Sequence, residues 1–345
     1  MSPRIAILGA GANGAALGAD LIAAGLDVTL IEQWPAHVEA MRADGLRVFS
    51  PDGDLHVHPR VLHLCEVAEL TQPFDVVLML MKAYDTPWAT RLIEPYLAGT
   101  GLLVGVQNGM TAPEIAEVVG AERTLGCVIE CSSTMSEPGV IHRHTGVSRS
   151  WFALGALRGG PVDRVEEIRR ILAHAGTVAV TSKIAAAKWM KLVSNCTLLV
   201  PSALLGLPML DALHVPGFRR VMVAAGEEAL AVGEALGHET LPIFGLDEDD
   251  LRDPRGVVEV MTDRLFSGFV VPGATTTVLQ DWTKGRHSEV DDLNGEVVTH
   301  GVLCGIPTPV NAAIVRLALE VEQGRRMPSP GLIDEMLAAV DHVTR

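Results

Sequence analysis

The chain has 345 residues, 48% of them hydrophobic, with 27 basic and 42 acidic side chains and a formal charge of −15. That length suits two domains with a sizeable core, and the acidic balance argues against nucleic-acid or anionic-membrane partners while allowing a local basic site. The five scattered cysteines form no CxxC pair and fit a reducing compartment rather than a disulfide framework.

The chain opens on a buried strand, "RIAILGA", rather than on a charged head and apolar leader, so a cytoplasmic protein is expected. The longest apolar stretch, Cys196 to Leu210, contains Pro201 and Pro208 and is too short to cross a bilayer. "AALGADLIAAG" reads as a helix, "DVTLIE" as a strand, "HVEAMRADG" as a helix, and "FDVVLMLM" and "GLLVGVQNG" as two more strands. This alternation predicts parallel strands joined by helices, a doubly wound α/β sheet. "VIHRHTG" and "SWFALGAL" read as later strands of the same domain. Near residue 181 the texture becomes helical, which divides the chain into 1–181, a dinucleotide-binding domain, and 182–345, a helical substrate domain. Residues 238–273 read as loop with one short helix.

Gly9-Ala10-Gly11-Ala12-Asn13-Gly14 is a G-x-G-x-x-G turn between a strand and a helix. Its glycines allow a tight turn and close approach of backbone to a pyrophosphate, whose charge then lies on the helix N-terminus. Glu32 ends the next strand, 18 residues after Gly14, where a carboxylate accepts from the ribose hydroxyls of NAD. Gln33, Trp34, Pro35 and Ala36 follow, and no cation comes before Arg42, so these residues favour NAD(H) over NADP(H).

"KWMKLVSNCTLLVPSALLG" places Lys188, Lys191 and Asn195 within an arc of about 60° on a helix. A solvated lysine face is one reading. The other is a lysine that protonates the alkoxide formed when hydride reduces a ketone, with Asn195 holding the substrate or the lysine. Lys82 and Asn108 follow apolar strands directly, where ligands bind in such sheets. Thr277 and Glu289 occupy "TTTVLQDWTKGRHSEVDDLNG". His142 and His144 share a strand face but have no third ligand at convincing spacing, and "DEDDLRD" lacks the glycine of a calcium loop, so no metal site is expected.

Taken in order, G-A-G-A-N-G, "KAYDT", "QNGM", "EPGVIHRHTG", "KWMKLVSN" and "VLQDWTKGRHSEVDDLNG" resemble the ketopantoate reductase (2-dehydropantoate 2-reductase) family over most of the chain. The resemblance implies a Rossmann domain, an all-helical domain of the 6-phosphogluconate dehydrogenase type with the active site between the two, and reduction of a 2-keto acid, usually with NADPH. It implies that Lys191 is the catalytic general acid and Asn195 a substrate-binding asparagine. It also implies that Lys82 and Asn108 line the nicotinamide and substrate, that Glu289 contacts the substrate hydroxyl, and that Thr277 stands for a serine that helps hold the substrate. Two departures stand out. Leu199 replaces a second asparagine, and Gln33 falls where an arginine reads the NADP phosphate. The expected partner is a small keto or hydroxy acid, and a homodimer is allowed. A related dehydrogenase of another hydroxy acid or an opine-like substrate, and a non-catalytic dinucleotide sensor, remain as alternatives.

Overall fold

In the computed structural model, which describes residues 2–243, 245–268 and 270–343, the chain forms two compact units, Met1–Ala185 and Ala186–Arg345. The strands of the first unit are β1 (Arg4–Leu8), β2 (Asp27–Glu32), β3 (Leu46–Phe49), β4 (Leu55–Val57), β5 (Arg60–His63) and β6 (Phe74–Met79). They continue with β7 (Leu97–Val106), β8 (Thr124–Glu130), β9 (Ser133–Glu137), β10 (Val140–Arg143), β11 (Trp151–Ala156) and β12 (Thr177–Val180). Helices α1 (Ala12–Ala23), α2 (Pro35–Asp44), α3 (Thr86–Ile93), α4 (Ala112–Val119) and α5 (Val165–Leu172) connect them.

The main sheet has eight strands in the order β12-β11-β8-β7-β6-β1-β2-β5. From β5 to β8 all neighbours are parallel. That segment has the strand order 3-2-1-4-5-6 of a dinucleotide-binding sheet, and the order of connection reverses between β1 and β6. Runs such as "IAIL" and "VVLM" are apolar at every position because both faces of the sheet are covered.

β10 and β11 both lie in the first unit, and the structure adds two details of their pairing. β11 pairs antiparallel with β8, and β10 belongs to a separate four-stranded sheet ordered β4-β3-β10-β9. That small sheet covers α1 on the side away from the main sheet. A buried ion pair fastens it: Arg143 of β10 reaches Asp20 of α1, and also donates to Thr145 O (2.8 Å), Ser150 Oγ (2.9 Å) and Ala175 O (2.8 Å). Burial lifts the Asp20 carboxyl to about 6, against the pull of Arg143.

The second unit contains α6 (Ile184–Leu205, its first two residues in the first unit), α7 (Met209–Ala212), α8 (Phe218–Ala235), α9 (Val257–Gly268) and α10 (Thr277–Thr283). A π-helical turn (Asp291–Gly295) then runs into α11 (Glu296–Cys304), followed by α12 (Pro309–Glu322) and α13 (Ile333–Val343). α9 is the helix expected between residues 238 and 273. Gly233 on α8 lets α6 come close, since a Cβ there would lie 2.1 Å from Trp189 Nε1. The indole N–H donates to Ala229 O at 2.9 Å. No described helix is long and apolar enough to cross a membrane.

Removing one partner of a buried ion pair strands the other, which costs about 3–5 kcal/mol. Arg143→Met is therefore expected to lose about that much stability in chemical denaturation at pH 8, where Asp20 is ionised. A loss below about 1 kcal/mol, the range of an exposed pair, would show that Arg143 does not anchor the small sheet.

Candidate functional site

The glycine turn sits where the strand order reverses, between β1 and β6. Gly9 has φ +96°, and a Cβ there would lie 2.7 Å from Met81 N, so the chain after β6 passes against it and excludes any side chain. Gly9 N–H and Ala10 N–H both donate to Ile31 O, at 2.9 and 3.3 Å, which ties the turn to β2. A Cβ on Gly14 would lie 2.0 Å from Gly9 O, so the third glycine lets α1 start directly over the turn. At Gly11 a Cβ would meet nothing within 4 Å, which leaves the backbone approachable.

No side chain caps α1, whose N-cap is Gly11. Its first N–H groups and positive dipole end suit an anion. Asn13, half-buried with Ala12 in that first turn, has a buried Oδ1 with no hydrogen-bond partner in the chain. These features fit the pyrophosphate of a dinucleotide.

Sequence reasoning missed His37, which is fully buried beneath this turn. Its Nδ1 accepts from Gly139 N–H (2.8 Å), so the ring proton is on Nε2 and is donated to Ala10 O (3.0 Å). One neutral imidazole thus links the turn to the loop between β9 and β10. Nothing in the sequence signals this, because the partners lie 27 and 102 residues away.

Glu32 is buried at the end of β2, and its Oε1 accepts from Trp34 N–H at 2.9 Å, which fixes the carboxylate where the sequence placed it. Gln33 is exposed beside it. Arg42, the first cation downstream, is already engaged. It donates to Val61 O at 2.9 and 3.2 Å and pairs with Glu39 and Glu66.

Lys82 and Asn108 both lie just past the carboxyl ends of the adjacent strands β6 and β7, and both are half-buried. Between them Gln107 is buried, and its Nε2 donates to Met81 O and Thr86 Oγ1, each at 2.9 Å. Gln107 therefore sets the spacing of the two strand ends that carry Lys82 and Asn108. The Oδ1 of Asn108 is buried with no partner in the chain.

In the second unit the polar row of α6 is not a solvated face. Lys188, Lys191 and Asn195 are 3%, 9% and 4% exposed. Asn195 Nδ2 has no hydrogen-bond partner in the chain. Leu199, one turn further along the same row, is half-buried. Glu289 is 8% exposed and lies two residues before the first residue of the π-helical turn. The threonines divide their roles: Thr276 is buried and caps α10, its Oγ1 accepting from Leu279 N–H (3.2 Å), while Thr277 is exposed in the first turn.

Fold and glycine turn together define a Rossmann-type α/β unit followed by an all-helical unit. The sequence family described as ketopantoate reductase PanE/ApbA matches residues 5–159, and its C-terminal part matches residues 183–322. The chain therefore belongs to the ketopantoate reductase family, NAD(P)-dependent oxidoreductases that act on a CH–OH group. It is 31% identical to the 2-dehydropantoate 2-reductase of Mesorhizobium japonicum, over 93% of this chain and 99% of that protein. The crystal structure of a PanE/ApbA family ketopantoate reductase from Ralstonia eutropha JMP134 superposes with a TM-score of 0.79 and 28% identity, over 94% of this chain and 100% of that one. D-mandelate dehydrogenase in its ternary structure with NADH and anilino(oxo)acetate superposes with a TM-score of 0.81 over 93% of this chain and 99% of that one. At 20% identity that likeness establishes the fold.

Burial lowers the His37 pKa, opposed by its bond to Ala10. A lowered histidine contributes stability above its unfolded pKa of about 6.5, and that contribution is lost as pH falls through the folded value. The thermal midpoint is therefore expected to drop between pH 7 and 5 more steeply in the native protein than in His37→Gln. Parallel pH profiles for the two would show that His37 does not hold the turn as a neutral ring.

Proposed function

We propose that the protein reduces a 2-keto acid to the 2-hydroxy acid with NADH, using Lys191 as general acid. The observation that carries this reading is the burial of Lys191 beside Asn195 on a mostly apolar helix, with Asn195 keeping an unsatisfied Nδ2. A lysine held in a buried row is placed to act on a group brought beside it, and a buried amide without a partner costs about 1–3 kcal/mol, a cost that a bound acceptor removes.

A nicotinamide held by the glycine turn and the strand ends would supply hydride to the substrate carbonyl carbon. As negative charge grows on the carbonyl oxygen, the Lys191 ammonium stabilises it and delivers the proton. Asn195 donates from Nδ2 to the substrate and orients it. Glu289 accepts from the hydroxyl that forms, and Thr277 helps to hold the acid. Lys82 and Asn108, at neighbouring strand ends, line the nicotinamide and substrate.

Cofactor choice follows from the end of β2. A fixed Glu32 carboxylate accepts from two ribose hydroxyls but repels a 2′-phosphate, and neither Gln33 nor the engaged Arg42 offsets that repulsion. Leu199 presents an apolar side chain where the family pattern has an amide. The natural substrate is therefore a 2-keto acid with an apolar group in place of the hydroxyl of ketopantoate.

Lys191→Ala is expected to lower kcat by about 10²–10⁴-fold while NADH still binds, as followed by dinucleotide fluorescence. Near-normal turnover in that variant would remove Lys191 from the mechanism. NADH is expected to exceed NADPH in kcat/KM by at least about tenfold, equivalent to 1.4 kcal/mol, and Glu32→Ser combined with Gln33→Arg should narrow or reverse the ratio. A native preference for NADPH would contradict the assignment of Glu32.

A further inference from the structure

The π-helical turn lies between Glu289 and α11, and both of its flanks are fastened by buried side chains. Gly295 N–H donates to Val290 O, five residues back, at 3.0 Å. Such a turn holds one more residue than an α-helical turn. Converting it to α would rotate everything on its N-terminal side, Glu289 included, by about 100° relative to α11. Isolated π turns are poorly populated and persist where the surroundings impose them.

Here the surroundings are specific. Asn294, fully buried inside the turn, donates from Nδ2 to Asn311 Oδ1 (2.8 Å) and to Cys196 O on α6 (3.3 Å). Asn311 is fixed in turn, because its Nδ2 donates to Ala225 O (2.9 Å) and to Glu228 Oε2 (2.7 Å). The Glu228 carboxylate also accepts the N–H groups of Val310 (2.8 Å) and Asn311 (2.9 Å), at the start of α12. Cys196 is the residue after Asn195, so Asn294 ties the π turn to the same stretch of α6 that carries Asn195.

On the other side of Glu289, Ser288 is fully buried, and both its N–H (3.0 Å) and its Oγ donate to Glu322 Oε1. Glu322 also accepts from Trp282 Nε1 (3.1 Å) and contacts His287 Nδ1 (3.0 Å). Burial works against the charge on Glu322, but these donors outweigh it and hold the carboxyl below the usual carboxylate range.

We infer that Asn294 and Glu322 are positioning residues for Glu289, setting its azimuth and height toward the groups on α6. They act through Glu289 and touch neither substrate nor cofactor. This rests on the role given to Glu289 above. It adds that the π turn exists to aim that carboxylate, and a displacement on the order of 1 Å at such a group costs about 10²-fold in rate.

The test is a double-mutant cycle on the full-length protein, read together with hydrogen exchange. Asn294→Ala is expected to lower kcat/KM for the keto acid by about 10- to 100-fold, with NADH affinity unchanged. In a Glu289→Ala background the same substitution should change kcat/KM by less than about twofold, because the residue it acts through is gone. Equal losses in both backgrounds, as a purely structural role would give, overturn the inference, and so does an unchanged kcat/KM. If Asn294→Ala does not fold, Glu322→Gln, which keeps the side-chain shape, carries the same cycle with the same outcomes. Hydrogen exchange decides independently of turnover: either variant should speed exchange in residues 288–295 while leaving the strands of the first unit unchanged, and unaltered exchange there overturns the inference. A native protein that turns over no keto acid would defeat the functional reading, while the exchange result would still judge the positioning role.

Discussion

Burying two ammonium groups and an amide along one side of a helix is costly unless they are paired or used, and α6 buries Lys188, Lys191 and Asn195 in this way. Neighbouring elements are arranged to keep this row in place. Trp189, beside Lys188, packs into the space left by Gly233 and hydrogen-bonds to α8. Cys196, beside Asn195, is held through its carbonyl by Asn294. Glu228 and Asn311 complete a buried polar network that joins α8, α12, the π turn and α6. Buried polar bonds of this kind are strengthened by the low-dielectric interior and help to specify one arrangement of the helices.

The first unit answers a different constraint. Its parallel strands reverse order between β1 and β6, and the glycine turn must pass within van der Waals contact of the chain after β6. Only glycine at position 9 allows that approach with a positive φ. His37 then holds the turn from below and Gln107 holds the neighbouring strand ends. Glu32 is fixed by the backbone N–H of Trp34, so the carboxylate at the end of β2 is held in place rather than a mobile surface acid.

The dinucleotide turn, the strand ends carrying Lys82 and Asn108, and the polar row of α6 were legible because each depends on local spacing. Glycine must stand where a Cβ cannot, parallel strands read as unbroken apolar runs, and a helix turns by about 100° per residue. What was not legible depends on partners remote in sequence. β3 and β4 are four and three residues long and acquire their meaning only by pairing with β10 and with each other. The antiparallel placement of β11 leaves no local trace. The π turn reads as ordinary helix in "SEVDDLNGEVV", because the bonds of Asn294 reach 17 and 98 residues away. Among Thr275, Thr276 and Thr277, identical side chains conceal which one caps α10. The structure gives that role to Thr276 and leaves Thr277 exposed.

The account stands on the claim that a keto-acid carbonyl is reduced beside the Lys191 row. Initial rates of NADH oxidation across a panel of 2-keto acids with apolar, hydroxylated and branched side chains test it most directly. The account predicts saturable oxidation, with the highest kcat/KM for an acid bearing an apolar group where ketopantoate carries its hydroxyl. Binding of the dinucleotide with no oxidation by any 2-keto acid would contradict the chemistry, and a clear optimum on ketopantoate would contradict the reading of Leu199.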